Sequence, residues 1–437
     1  MAGVKMTEMR VLKGTKDYLP DEQALREKIR EDLVQTFRLY NFGPLETPIL
    51  EYYDILASKY AGGEEILKET YTLGDQGERE LGLRYDLTVP FSRVIAMNPN
   101  VKMPFKRWEM GKVFRDGPIK LGRYREFTQC DVDVVGIKSM AADAELVSMA
   151  VDAFERIGIP VYVEVNNMKL LSSILEVVGV EKSKVKNAIL VVDKLKKIGP
   201  KGVKTELEEK GIEKIDFNLL FGLLEDGKTK EGALKRLEEK AVDKSGKEGA
   251  EELRELFKYL KRFDVDEIVR FVPSLARGLG FYTGTIFEVY AKDSKMSSSV
   301  AGGGRYDEII GKFLESGKEY PAVGISFGLE AICDVIKGMP EGAVRISSGL
   351  KVYVISLEQM DKAIETVSMF RSAGIEADIG YSGRKLTKEL DYANKIKVPY
   401  VIILGKEEVK AGKLQLRDMN TGEQSLVSLE EAVRKLK

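Results

Sequence analysis

Two segments, KRWEMGKVFRD (106–116) and YREFTQCDVDVVG (124–136), read as strands separated by only a short loop. They form the arms of a hairpin, a connection open to antiparallel strands and closed to parallel ones. The turn region is cationic, with Arg115, Lys120, Arg123 and Arg125. The second arm then carries Gln129, Asp131 and Asp133 at alternate positions, so these three share one face. Arginine's planar fork suits phosphate oxygens, and a cationic loop on a rigid hairpin suits a polyphosphate or an RNA end. A solvated charged turn fits the stretch equally. The apolar alternation at Cys130, Val132 and Val134 favours a polar row turned to water.

Composition narrows the chemistry. The 437 residues include no histidine. That removes Ser-His-Asp and Cys-His nucleophiles, histidine general bases and histidine-ligated metals. Catalysis here must use positioning and charge, as phosphoryl and nucleotidyl transfer do. The 69 basic and 70 acidic residues nearly cancel, so any nucleic-acid binding comes from local patches. Cys130 and Cys333 form no Cys-x-x-Cys pair, which argues against structural zinc. No apolar run reaches membrane-spanning length, and MAGVKMTEMR lacks a secretory core, so a soluble, cytoplasmic protein is expected.

The length suggests two or three domains. Leu25, Ile29, Leu33 and Phe37 place one apolar face on a helix that stops at NFGPLETPIL. YTLGDQGERELGLRYD reads as a hairpin, AADAELVSMAVDAFERIG as a helix and VYVEVNN as a strand. Residues 168–262 turn Lys/Glu-rich with helical periodicity, as an inserted helical unit would. SVAGGGRYDEIIG reads as a glycine-rich turn, and PAVGISFGLEAICDVIKG as a strand passing into a helix. A linker at 339–349 precedes a strand-helix-strand-helix-strand pattern from 350, a small α/β domain.

Other clusters carry weaker signals. LRYDLTVPF sets Asp86 and Thr88 on one strand face, where an acid and a hydroxyl suit an ammonium, although a strand-end turn is the default. RGLGFYTG brings Arg277 near Phe281 and Tyr282, as an anion site or a surface cation–π contact. AGGGRYDEI has three glycines that permit close approach to a ligand or a bulge, and lacks the Gly-Lys-Ser/Thr ending of a phosphate loop.

The order of these motifs resembles that of class II aminoacyl-tRNA synthetases, and within them the histidyl-tRNA synthetase family, over nearly the whole chain. FGPLETPILE, with Pro48, is similar to motif 1, and FRDGPIKLGRYREFTQCDVDVVG to motif 2. ARGLGFYTG and AGGGRYD resemble the two signatures peculiar to the histidine enzymes, and VGISFGLEAI stands at motif 3. The resemblance implies an α+β catalytic core, an antiparallel sheet flanked by helices, from 1–167 and 263–338. It also implies an inserted helical domain at 168–262 and a C-terminal α/β anticodon-binding domain at 350–437. The implied activity joins histidine to ATP as histidyl-adenylate, then passes the acyl group to the 3′ end of tRNA(His), releasing pyrophosphate and AMP. The implied assembly is a homodimer, with Mg2+ carried by ATP and no resident metal.

By the same resemblance, Arg115 holds the ATP α-phosphate, the 120–125 loop with Arg123 lies near ATP and the acceptor end, and Arg277 stabilises the α-phosphorus. Asp86, Thr88 and Gln129 match positions around the substrate α-amino group, and Asp133, Tyr282 and Tyr306 those that recognise the imidazole. Phe281 lines that pocket. Two positions depart from the pattern. Ala331 stands where the family usually has an arginine for the γ-phosphate, which leaves that work to another cation such as Arg123 or Arg305. Gly280 stands where an acid is usual. The cluster Arg384, Lys385, Lys388, Lys395 and Lys397 suits RNA phosphates.

Overall fold

The computed structural model describes residues 9–58, 64–225, 227, 229–241, 243–277, 280–315, 318–340, 344, 349–381 and 383–437. These divide into two compact units, one drawn from 9–18 and 26–344 and one from 19–25 and 349–437. Most of the linker expected at 339–349 lies outside the described residues.

The first unit is built on an eight-stranded sheet. Its strands are β1 (Gly43–Pro44), β2 (Phe105–Phe114), β3 (Glu126–Val135), β4 (Val161–Asn167), β5 (Val269–Phe271), β6 (Thr285–Ala291), β7 (Ala301–Arg305) and β8 (Ala322–Gly328). Their order is β1-β2-β3-β8-β7-β6-β4-β5. The two outermost pairs are parallel and every pair between them is antiparallel. The expected hairpin is the β2–β3 pair, in register from Phe105 opposite Val135 to Phe114 opposite Glu126.

Alternation gives the sheet two unlike faces. Cys130, Val132 and Val134 are buried on one, where Phe327 of β8 packs against Phe37 and Phe154, with ring centroids 5.6 and 5.7 Å apart. Phe37 belongs to the helix Pro20–Leu39 and Phe154 to Met140–Ile157, so two amphipathic helices cover that face. Ser139 caps the second helix by accepting from the Ala141 amide, and Gly158 ends it in the left-handed region at φ +89°.

The other face is open because its rows are rich in glycine. Across the strands, Gly111, Gln129 and Gly328 form one row. Glu109, Asp131, Ser326, Gly302 and Glu288 form the next, and Arg107, Asp133, Gly324 and Gly304 the third. The triple glycine expected as a turn is thus an inner strand, β7, paired on both sides. Its glycines are steric requirements. A Cβ on Gly303 would lie 1.9 Å from the Gly324 carbonyl oxygen, and one on Gly302 would lie 2.2 Å from Arg277 Nη1.

Residues 168–262 contain the helices Met168–Val177, Val185–Val192, Leu195–Glu209, Phe217–Leu224, Lys230–Glu238 and Lys244–Arg262. The last lies close on the first through Gly249, whose Cβ would come within 2.7 Å of the Leu170 amide nitrogen. The second unit has a five-stranded sheet ordered Ala377–Ile379, Val352–Ser356, Tyr400–Leu404, Leu414–Asp418, Gln424–Val427. Its first three strands are parallel, as the α/β pattern implies. The last two pairings are antiparallel and lie beyond that pattern.

Candidate active site

The open face of the sheet is the floor of a cleft of about 440 Å3. All ten residues singled out from the sequence line it: Asp86, Thr88, Arg115, Arg123, Gln129, Asp133, Arg277, Phe281, Tyr282 and Tyr306. They come from four separate stretches of chain, and the sheet's register is what gathers them.

One end of the cleft is acidic. The Gln129–Asp131–Asp133 row, expected to face water, is turned into the cleft instead, with Asp131 and Asp133 each only 3 % exposed. The reason is tertiary: helices bury the apolar face completely, and the aromatic residues of 281–306 wall the polar one. Tyr306 donates its hydroxyl to Asp133 Oδ1 at 2.5 Å, and Arg107 Nη2 lies 2.7 Å from Oδ2. Burial still pushes the Asp133 carboxyl above its usual range, against the pull of Arg107. Phe281 sets its ring against Tyr282 at 4.7 Å and edge-on to Tyr306 at 5.9 Å, closing an aromatic wall beside that carboxylate.

Asp86 and Thr88 do not share a strand face. The strand Glu80–Leu83 ends before them, and Thr88 begins the helix Thr88–Met97. Asp86 Oδ1 accepts from the Val89 amide at 3.0 Å, a capping contact that turns the chain into the helix. That contact outweighs the β-like run of LRYDLTV, because an aspartate before a helix satisfies an otherwise orphaned N–H. Burial raises the Asp86 carboxyl to about 6.

The other end is cationic. Arg115 donates from Nε to the Tyr85 carbonyl at 2.9 Å and lies over the Phe127 ring, which leaves its fork toward the cleft. Arg277 donates to Glu288 Oε1 at 2.7 Å and sits 5.6 Å from the Tyr282 ring centroid. Arg123 rides on the hairpin loop. That loop is fastened by Asp334 of the helix Leu329–Gly338, whose Oδ2 accepts from the Gly122 amide at 3.2 Å and the Tyr124 hydroxyl at 3.0 Å. Ala331 begins the same helix and lines the cleft. Its neighbour Glu330 is held by Arg26 at 2.8 Å and accepts from the Thr128 amide.

Arg305 does not serve this cleft. It is 1 % exposed and its guanidinium is taken up by Asp143, Asp307 and the Ile137 carbonyl. Gly280 is exposed, and a Cβ there would meet nothing within 4 Å, so the missing acid leaves no cavity.

Sequence reasoning passed over Arg107, Glu109, Glu288 and the site role of Asp131. Pairing the two arms on paper sets Arg107 opposite Asp133 and Glu109 opposite Asp131, which was the available signal. Glu288 had none, since only β6–β7 pairing brings it to Arg277.

A family model for histidyl-tRNA synthetase matches residues 14–332, and one for an anticodon binding domain matches 351–437. The chain is 44 % identical to "Histidine--tRNA ligase 2" of Shouchella clausii over 419 residues, covering 96 % of this chain and 98 % of that protein. It is 45 % identical to "Histidine--tRNA ligase 1" of Bacillus thuringiensis over 427 residues, covering 97 % and 98 %. The crystal structure of histidyl-tRNA synthetase from Nostoc sp. PCC 7120 superposes with a TM-score of 0.84 at 28 % identity, covering 98 % of this chain and 99 % of that one.

Proposed function

The chain belongs to the histidyl-tRNA synthetase family, and from that premise we propose how its cleft carries out the family's reaction. The protein is a histidine–tRNA ligase, an ATP-using enzyme that makes histidyl-adenylate and transfers the histidyl group to tRNA. The observation that carries our reading of the site is the polarity of one cleft, acidic and amide-bearing at Asp86, Gln129 and Asp133, arginine-lined at Arg115, Arg123 and Arg277.

Histidine lies at the acidic end. Its α-ammonium faces Asp86, Thr88 and Gln129, and its imidazole faces Asp133, Tyr306 and Tyr282 along the Phe281 wall. ATP lies at the cationic end, with the α-phosphate between Arg115 and Arg277 and the outer phosphates toward Arg123. The substrate carboxylate attacks the α-phosphorus in line and pyrophosphate departs. Charge accumulating on the phosphoryl oxygens meets two preorganised guanidiniums, and the fixed approach removes much of the entropic barrier. Mg2+ enters with the ATP phosphates. In the second step the terminal ribose hydroxyl of tRNA(His) attacks the acyl carbon and AMP leaves. The 350–437 unit offers exposed Arg384, Lys385, Lys388, Lys395 and Lys397 for RNA phosphates.

We assign the active form as a homodimer. The small sheet of Leu50–Tyr52, Glu80–Leu83 and Thr72–Gly74 leaves Ile49, Leu50, Tyr52 and Leu73 substantially exposed, an apolar group suited to a second copy. Both cysteines are buried free thiols, in keeping with a cytoplasmic site of action. No described helix is long and apolar enough to cross a membrane.

Amino-acid-dependent ATP–pyrophosphate exchange tests the reading, run with each of the twenty amino acids on the full chain. Exchange with histidine alone is expected. Exchange with none of them, from folded protein, would overturn the assignment of this cleft and make Ala331 the first suspect.

A further inference from the structure

Four acceptor oxygens on the wall and floor of the acidic end have no hydrogen-bond donor: Asp86 Oδ2, Gln129 Oε1, Asp131 Oδ1 and Asp133 Oδ2, of which only the last lies in an ion pair, 2.7 Å from Arg107. Asp86 and Gln129 already face the substrate α-ammonium, and Asp131 has no such role. It is 3 % exposed, sits in the central row of the floor, and is hydrogen-bonded by Ser326, its register partner on β8. Among the described residues it forms no ion pair. The guanidinium of Arg107 is spent on Asp133 at 2.7 Å and Glu109 at 3.5 Å. That of Arg84 is committed to Glu109 and to the Thr47 carbonyl.

A carboxyl group buried without a cation or a full set of donors is costly, and a fold keeps one where a ligand supplies what is missing. The chemistry of that ligand group follows from the inventory. The three of these acceptors that lie outside an ion pair match a group with three N–H donors and no acceptor, which is an alkylammonium. A hydroxyl brings one donor, and a phosphate or carboxylate brings more acceptors. Position agrees as well. Asp131 lies two residues from Gln129 and two from Asp133 on the same strand face, a spacing of about 7 Å on each side. An ammonium over the 129–131 step therefore leaves an attached imidazole over Asp133 and Tyr306.

We propose that Asp131 is a substrate-binding residue of the amino-acid subsite, its Oδ1 accepting an N–H of the substrate α-ammonium beside Asp86 and Gln129. The proposal rests on the reading of this cleft as the histidine-activating site. It also makes binding proton-linked. The charged and titratable groups around Asp131 are Asp133 on its own strand, Arg107 and Glu109 from β2, and Asp86 and Arg115 near the helix Thr88–Met97. Tyr282 and Arg277 from the loop before β6, Glu288 in the same row on β6, Tyr306 after β7, and Arg84 complete the set. Burial holds the Asp131 carboxyl up at about 8, with Arg107 pulling down and Asp133 and Asp86 pushing up. An ammonium on Oδ1 lowers it, so binding below that pH expels a proton, and histidine binds more tightly as pH rises from 6 to 8.

The test is Asp131→Asn, with Asp131→Ala as a second variant, in pyrophosphate exchange by the full chain. The KM for histidine is expected to rise about tenfold or more, the loss of one charge-assisted hydrogen bond, with the KM for ATP within twofold. The steepening of histidine affinity between pH 6 and 8 is expected to flatten in Asp131→Asn. Histidine's own titration is common to both enzymes, so the difference isolates residue 131. Competition by β-imidazolelactate, which lacks the ammonium, is expected to be nearly unchanged. An unaltered histidine KM and pH profile in Asp131→Asn would overturn the proposal while leaving the active-site reading intact. Equal losses for histidine and ATP with a lowered melting temperature would also overturn it, in favour of a structural role. Absence of histidine-dependent exchange in the unmodified enzyme would instead remove the reading on which the proposal rests.

Discussion

Tyr306 donates its phenol to Asp133 across two intervening strand pairings, at 2.5 Å, and Arg107 braces the opposite carboxylate oxygen from the third side at 2.7 Å. The carboxylate is therefore held in one orientation before any ligand arrives. A preorganised acceptor of this kind discriminates, because an apolar isostere of histidine would leave it unsatisfied at a cost of about 1–3 kcal/mol.

Asp133→Ala is accordingly expected to raise the KM for histidine by about tenfold to a hundredfold while the KM for ATP changes little. Steady-state exchange kinetics check this. Equal losses for both substrates would refute the role assigned to Asp133.

Gly324 lies directly opposite Asp133, and a Cβ there would stand 1.9 Å from Asp133 Oδ1. Gly324→Ala must push that carboxylate off Tyr306. We expect a histidine-selective defect comparable to that of Asp133→Ala, in a protein whose helical circular dichroism is unchanged. A variant with wild-type histidine KM would show that the floor yields elsewhere.

Asp334 fastens the Arg123 loop to the helix that carries Ala331. Asp334→Ala frees that loop at the cationic end only. The expected result is an ATP KM raised about tenfold, from two lost hydrogen bonds to a charged group, with histidine KM unchanged. Ala331→Arg in the same background is expected to recover ATP affinity. Calorimetric titration with ATP and ADP separates a γ-phosphate effect from a general one.

The pH dependence of stability has a definite sign. Asp131, Asp86 and Asp143 all have carboxyls raised by burial, to about 8, 6 and 6. A raised carboxyl makes the folded state bind more protons than the unfolded one between the ordinary value near 4 and the raised value. Stability of the ligand-free enzyme from these groups is therefore full at the acidic side of that window and falls as pH rises toward 8. Asp131→Asn removes the buried charge and is expected to raise the melting temperature at pH 8 by about 2 °C or more, with less effect at pH 5. Scanning calorimetry without ligand checks it. A variant less stable at pH 8 than the parent would contradict the burial argument.

Much of this enzyme was decided by local pattern. Leu25, Ile29, Leu33 and Phe37 carry a helical period, and all four are buried. Arms of matched length around a short loop leave antiparallel pairing as the only option, and the β2–β3 hairpin follows. The ordered motifs named every residue that the cleft was expected to contain, and all ten line it. What the sequence by itself could not decide was which side of an alternating strand meets water. Cys130, Val132 and Val134 announce one apolar face, but whether the polar face is solvent or site depends on what another part of the chain places over it. Residues 281–306 do so from some 150 positions away, and the alternation is the same either way. The triple glycine looked like a turn for a related reason. Glycine's local freedom favours turns, whereas here close approach of β8 to β7 and of Arg277 to Gly302 demands its lack of a side chain. Periodicity and turn chemistry act within a few residues and are written in the chain. Register across the sheet, the partners of Asp133, Arg277 and Arg305, and the absence of an ion pair for Asp131 among the described residues are set by long-range pairing, and only the tertiary structure determines them.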